Sequence, residues 1–430
     1  MRLSRRDFLS SALLLPALRP QLSNERFIET VALGTPGVAP PPLGKLLGTG
    51  LDARLFTDLS QLGAESAIRP ESAIRPESTI RPESTIQSAI RNPQSAMLTA
   101  TERFFVRTES PRALPSANQW SVRIGGLVRA PIDLTMRELE ALLSAAGRYL
   151  IECSGNADQT SYGLMSVADW EGVPVAALLD RVRPTASPNR ILVSGVDDET
   201  TASRTSAPGA SWIFSRDDLQ HALLAVRMNG APLPRDHGQP VRLIVPGWYG
   251  CTCIKWVDRI EVVADETPAT TQMQEFAART HQPFDPSRAS GSPRAGSRSN
   301  SLAGPDSVRT GAPLLARDFT PALIDTAAMP VRVEKWLIDG RLAYRIAGII
   351  WGGSTPTSAL AIRFRSNQEW VPVDDCPMPA STLTWSTWSH TWRPDAPGRY
   401  QIVLRVTDPA IRTRRLDLFF YVREIGIDEV

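Results

Sequence analysis

The chain's thiols are its first candidates for chemistry, and there are four of them: Cys153, Cys251, Cys253 and Cys376. They are too few and too unevenly spaced for a disulfide framework. Cys251 and Cys253 stand one residue apart, closer than the two-residue gap of a zinc knuckle, and no second pair follows, which argues against a structural zinc site. Cys153 is different in context. It ends the apolar run RYLIEC and opens the loop SGN. A thiolate there is a soft metal ligand, and a bound metal would itself stabilise the deprotonated form. Packing at the end of a buried strand is the plainer role for such a residue. The chain has no C-x-x-C-H haem attachment motif, so no haem is expected in it.

The elements that must position these residues read as mixed α+β. FFVR at 104–107 leads to the alternating WSVRIGGLV, a strand pattern. Thr135 to Glu138 forms a capping box for a helix reaching about Leu143, and Ser215 to Asp218 resembles another. RYLIECSGN and RILVSGVD read as strands ending in loops. LLAVRMNG, VRLIVPGW and IKWVDRIEVV continue as strands, with Asn229-Gly230 a hairpin signal. Beyond a polar stretch rich in Gly, Pro and Ser, the runs VRVEKWL, LAYRIAGIIW, LAIRFRS, EWVPVD, RYQIVLRVTD and LDLFFYV are short strands at sandwich spacing. The predicted domains are a signal segment at 1–22, a low-complexity linker at 23–100, a catalytic domain at 101–282, a flexible linker at 283–316 and an immunoglobulin-like β-sandwich at 317–430.

The linker assignment at 23–100 rests on a repeat, ESAIRP, ESAIRP, ESTIRP, then ESTIQSAIRNPQSA, from Glu65 to Ala96. Its six-residue period is far shorter than a solenoid unit, and each copy carries a proline that breaks a helix and removes a ladder donor. The first residues, MRLSRRDFLSSALLLPAL, place Arg5 and Arg6 before a short apolar stretch, which is a twin-arginine export signal. That route carries folded proteins, commonly after a complex cofactor has been inserted, so a periplasmic location is expected. A net charge of +2 gives no reason to expect a nucleic-acid partner. No apolar run approaches the roughly 18 residues needed to cross a bilayer.

Three segments, FFVR at 104–107, IECSGN at 151–156 and MNGAPLPRDHGQPVRLIVPGWYGCTCIKW at 228–256, occur in an order that resembles the sulfite-oxidase family of molybdopterin enzymes. The resemblance covers residues 102–280 and, more weakly, 328–422. It implies a molybdopterin-binding domain of the sulfite oxidase fold followed by a sandwich domain through which a homodimer or heterodimer would form. It implies further that Cys153 ligates molybdenum of a molybdenum-molybdopterin cofactor. A thiolate suits a sulfur-bound centre of that kind better than carboxylate or imidazole would. Phe105, Val106, Arg107, Asp197, His237, Arg242, Cys253, Ile254 and Lys255 fall where the family contacts its cofactor, with Arg107 beside the metal. His237, Arg242 and Lys255 are typed to neutralise the cofactor's anionic tail, Arg242 by bidentate contact.

Substrate-facing positions depart from the pattern. Asp158 stands where sulfite oxidases have an arginine, Phe276 where they have a tyrosine, and Thr108-Glu109 where they have Asn-His. PGWYG is similar to the matching stretch of bacterial sulfane dehydrogenases. The resemblance therefore implies oxygen-atom transfer on a small substrate, a sulfur compound, with electrons passed to a c-type cytochrome. The alternatives are a periplasmic sulfoxide-type reductase and a metal-free binding or assembly protein of the same fold.

Overall fold

A computed structural model describes residues 24–34, 39, 41–62, 97–156, 162–185, 189–197, 209–277, 314–411, 413 and 422–430. The export signal, the hexapeptide repeat, Asp158 and the strand expected at LDLFFYV lie outside the described residues, as does the linker apart from 314–316. The architecture is α+β, dominated by sheets.

Two five-stranded sheets build the first domain. One contains β4 (Ser121–Gly126), β5 (Ile132–Thr135), β8 (Asn189–Gly195), β9 (Ser211–Phe214) and β13 (Val257–Ala264), in the order β5-β4-β13-β8-β9. The other contains β6 (Ala145–Glu152), β7 (Met165–Pro174), β10 (Leu223–Met228), β11 (Ala231–Pro232) and β12 (Arg242–Ile244). Its order is β11-β10-β7-β6, with β12 paired to β10. Asn229 and Gly230 both adopt positive φ, +51° and +77°, so the expected hairpin turn joins β10 to β11. Helix α1 (Met136–Ala141) starts at the expected capping box, Thr135 accepting from Glu138 N at 3.4 Å while Glu138 accepts from Thr135 N at 2.8 Å. The same reciprocal pairing of Ser215 and Asp218 opens only a single 3-10 turn, Asp217–Leu219. Helix α2 (Val175–Val182), not foreseen, buries Val175, Leu178, Leu179 and Val182, the one-face spacing of an amphipathic helix. Helix α3 (Thr271–Phe276) closes the domain.

Residues 327–427 supply most of two four-stranded sheets that share one core. The first has the order β1-β14-β15-β18, from β1 (Glu25–Val31), β14 (Ala327–Ile338), β15 (Arg341–Trp351) and β18 (Ser386–Trp392). The second has the order β17-β16-β19-β20, from β16 (Leu360–Arg363), β17 (Val371–Pro372), β19 (Gly398–Val406) and β20 (Arg423–Ile427). Tyr344, Ile346 and Trp388 of one sheet meet Ile362, Ile402 and Ile425 of the other.

The remaining strand of the first sheet, β1 (Glu25–Val31), corrects the linker assignment at 23–100. It pairs antiparallel with β14, and the stretch after it contributes buried Leu51, Leu55, Phe56, Leu59 and Leu62. The physical reason is in the sequence: GLDARLFTDLSQL carries enough apolar surface to repay ordering. Within it β2 (Arg54–Leu55) pairs with β3 (Val106–Arg107), bringing the N-terminal segment onto the first domain. The assigned linker 283–316 is shortened likewise, since Leu315 bridges to Pro268 and Ala316 is buried. The domains are not loosely joined. Trp351, Met329 and Ile349 of the sandwich belong to the same continuous core as Leu150, Met165 and Trp248.

Candidate functional site

Strand β6 leads to Cys153 at the wall of a pocket with about 770 Å³ of empty space, the solvent at its open side included. The loop that follows is fixed at both ends. Cys153 N donates to Leu164 O at 2.9 Å, and Asn156 N donates back to Cys153 O at 2.9 Å. Asn156 also accepts from Leu164 N at 3.1 Å and donates to the buried Glu152 carboxylate at 3.2 Å. Gly155 N points at Cys153 Sγ from 3.3 Å, a donor well placed to stabilise a thiolate. A side chain at Gly155 would reach the sulfur, at 3.7 Å from its Cβ.

Opposite stands the β2–β3 ribbon. Phe105 is tied down by its N–H, which donates to Ser166 Oγ at 3.0 Å, and Arg107 reaches back to Leu51 O at 2.6 Å. Burial pushes the Arg107 guanidinium below its ordinary value, against the opposing charges of Cys153, Glu275 and Asp52. Val106 is buried and does not line the pocket, whereas Phe105 and Arg107 do. Arg54 lies directly across from Arg107 in the ribbon and feels the charge of Cys153. It was missed because its segment reads as part of a linker.

The third wall comes from the stretch between β11 and β13. The Arg242 guanidinium is fully buried, donating to Cys253 O at 3.3 Å and His237 O at 3.2 Å, with the Trp170 ring 5.5 Å away. Desolvation pushes it down to about 10. Lys255 spends its ammonium on three carbonyls, those of Arg107 at 3.2 Å, Thr108 at 2.6 Å and Asp236 at 2.9 Å, and lies 4.3 Å over the Trp256 ring. Its first action is thus to pin the Arg107 loop, where Thr108 takes φ +73°. His237 differs from the expected cation. Burial, then the charges of Arg242 and Lys255, push it down to about 3, so it is neutral at pH 7. Its Nε2 faces Thr101 O at 3.2 Å, which requires the proton on that nitrogen and leaves Nδ1 an acceptor.

Asp197, Cys253, Ile254 and Phe276 all line the same pocket. Asp197 accepts from Gly209 N at 3.2 Å, and burial raises the Cys253 thiol. Asp158 lies outside the described residues. Of the expected contacts among the described residues, then, the fold gathers all but Val106 around one space. Cys251 and Asp236 join them, unannounced by any spacing in the sequence.

Chemically the pocket pairs a soft donor with buried positive charge. Among the described residues no group of three His, Cys, Asp or Glu side chains could hold a metal ion. Among the described residues, then, Cys153 is a single soft donor and not part of a metal-binding cluster. The pocket that holds Cys153 is lined by Arg242 and Lys255 as well. Buried Arg242 and Lys255 suit an anionic group inside it. The donor set fits a metal-bearing anionic cofactor.

Residues 109–271 match the family described as oxidoreductase molybdopterin binding domain. Mitochondrial sulfite oxidase of Rattus norvegicus is 29% identical over 201 residues, 42% of this chain and 35% of that protein. NADH nitrate reductase of Spinacia oleracea is 30% identical over 189 residues, 40% of this chain and 20% of that one. The chain thus spans about a third or less of the length of these relatives. The sulfane dehydrogenase SoxCD of Paracoccus pantotrophus shares the fold with a TM-score of 0.58 at 16% identity, covering 93% of this chain and 91% of that one. These findings show that residues 109–271 carry an oxidoreductase molybdopterin binding domain, similar to those of sulfite oxidases and nitrate reductases.

Proposed function

We propose that this chain is an exported oxidoreductase that binds molybdenum-molybdopterin through Cys153 and exchanges an oxygen atom with a small sulfur compound. One observation carries the reading: a single pocket brings Cys153, Arg107 and the buried Arg242 together. When bound, the cofactor supplies two-electron oxygen-atom exchange. The chain's own residues do the rest. Cys153 offers the thiolate, which Gly155 N–H stabilises. Arg242 offsets anionic charge deep in the pocket, and neutral His237 offers Nδ1 as an acceptor. Lys255 fixes the Arg107 loop through three carbonyls, so that Arg107 can meet the substrate at the entrance.

The sulfur substrate is supported by the fold shared with the sulfane dehydrogenase and by the similarity to sulfite oxidases. Electrons would leave to a separate carrier, a c-type cytochrome, and the twin-arginine segment supports a periplasmic location. The similarity to nitrate reductases supports a second reading, in which the same site runs in the reductive direction. Metal analysis of the purified protein tests the core of the proposal. About one molybdenum per chain is expected, lost in Cys153→Ser because alkoxide matches the metal less well than thiolate. Protein that folds and is exported without molybdenum would overturn it. Turnover with sulfite, thiosulfate and methionine sulfoxide then separates the oxidative from the reductive direction.

A further inference from the structure

Leu51, Phe105 and Phe276 line the pocket together with Cys153 and Arg107, and each is held in place by hydrogen bonds of its own segment. Leu51 belongs to the single 3-10 turn Gly50–Asp52, which is clamped onto the FFVR segment. Arg107 Nη1 donates to Leu51 O at 2.6 Å, Glu109 N donates to Gly50 O at 2.8 Å, and Gly50 N donates back to the Glu109 carboxylate at 2.9 Å. Phe276 ends helix α3 one turn beyond Gln272, so the two share a face of the helix. Gln272 fixes that face, accepting from Ser211 N at 3.1 Å and donating to Cys251 O. Phe105, tied to Ser166, packs in one apolar cluster with Cys153 itself.

Charge around Arg107 is close to balanced. Arg54 lies across from it in the β2–β3 ribbon, and Asp52 and Glu275, the chain neighbours of Leu51 and Phe276, act on both arginines with opposite charge. The guanidinium pair is thus matched by a carboxylate pair, and one Arg107 nitrogen is already given to Leu51 O. A small anion gains from the arginines and loses to the carboxylates. A neutral polar group needs only a donor, and an apolar group gains by leaving water for the Leu51 and Phe276 side chains.

We propose that this pocket selects a neutral organic sulfur compound, with Leu51 and Phe276 determining specificity by packing against its apolar substituent. The inference rests on the functional reading above and names its substrate class. The substituent is buried against the apolar wall, and the sulfur, or the oxygen it carries, is turned toward Arg107. Oxidation balances as thioether plus water giving sulfoxide, two protons and two electrons, the electrons leaving to the separate carrier. Reduction is the reverse, with a reduced carrier as electron donor.

The test uses the full-length protein purified with its cofactor and a series of methyl n-alkyl sulfoxides, from methyl to hexyl. Calorimetry without reductant gives the affinity of each, and steady-state rates are measured with the sulfoxides, the matching thioethers and sulfite. Each added methylene is expected to tighten binding about threefold until the wall is filled. Leu51→Ala and Phe276→Ala should each weaken the longest ligand about tenfold and the shortest far less, while Leu51→Met and Phe276→Leu recover most of the loss. A wild-type affinity that does not rise with chain length overturns the proposal, whether or not the variants fold. So does a wild type whose kcat/KM for sulfite exceeds that for every sulfoxide and thioether. A loss in the alanine variants that is equal for short and long ligands overturns it too, since that marks a general role in holding the site. Binding that rises with chain length, without oxygen transfer in either direction, would keep the apolar wall and refute the functional reading. Oxygen transfer confined to sulfite would do the reverse.

Discussion

Trp351 Nε1 donates to Glu152 Oε2 over 2.9 Å, so a strand of the sandwich holds the residue directly before Cys153. Glu152 is almost wholly buried, and its other oxygen accepts from Asn156 in the thiol loop. The sandwich is thereby part of the site's support and not merely an appended domain. Trp351→Phe keeps the ring in the shared core but removes the donor from a buried carboxylate. Leaving such a group short of a partner costs about 1–3 kcal/mol. A lower melting temperature together with reduced molybdenum per chain is expected; an unchanged melting temperature would show that the contact is dispensable.

Lys255 gives a sharper separation of roles. Its three N–H groups all go to carbonyls of the pocket wall, so Lys255→Met should release the Arg107–Thr108 turn even though it keeps the apolar stem. Hydrogen bonds from a charged group are worth about 1.5–3 kcal/mol each, offset in part by the relief of burying the charge. A net loss of about 2–4 kcal/mol in denaturant unfolding is expected. Lys255→Arg should not restore it, because a planar fork cannot replace a three-way ammonium. Full recovery in Lys255→Arg would show that charge alone matters.

The strand β1 yields a prediction opposite to its reading as linker. Removing residues 24–33 uncovers the β14 edge, and takes Phe27 from the Trp336 ring, 5.5 Å away, and Glu25 from Arg345, 2.7 Å away. The variant should lose about 1–3 kcal/mol of stability, because cross-strand pairs contribute only tenths to one kcal/mol each. It should also self-associate more readily, since an open edge templates pairing. Unchanged unfolding and a monodisperse variant would return the segment to a tether.

How much of this was legible depends on where each signal resides. Cys153, Arg107, Arg242 and Lys255 could be found because their segments resemble those of a known family, while the strands around them were legible from their alternation. Arg54 could not, because a two-residue strand has no period and its partner lies 53 positions along the chain. The β1 strand was hidden for a related reason: its residues are nearly all exposed, so ERFIETV shows no buried face to detect. The neutral state of His237 depends on which cations the fold packs beside it, which no linear motif states. The Trp351–Glu152 contact joins positions 199 residues apart and is set by the docking of the two domains.

His237 supplies a pH dependence whose sign is fixed by its burial. Its pKa is pushed down to about 3, first by desolvation and then by Arg242 and Lys255, while an unfolded histidine titrates near about 6.5. Between those values the unfolded chain binds the extra proton and the folded chain does not. The stabilisation is therefore present in full above about pH 6.5 and declines as the pH falls, at about 1.4 kcal/mol per unit, until the folded form also takes the proton near pH 3. His237→Gln keeps a donor for the Thr101 carbonyl and removes the titration. The wild type should lose about 2 kcal/mol more than the variant between pH 6.5 and pH 5, because the other groups titrate alike in both. Urea unfolding at half-unit pH steps measures this directly. Parallel curves for the two proteins would mean that His237 protonates at the same pH in the folded and unfolded chain and is a cation below about pH 6.5. In that case it, and not Arg242 alone, would offset the anionic charge expected in the pocket.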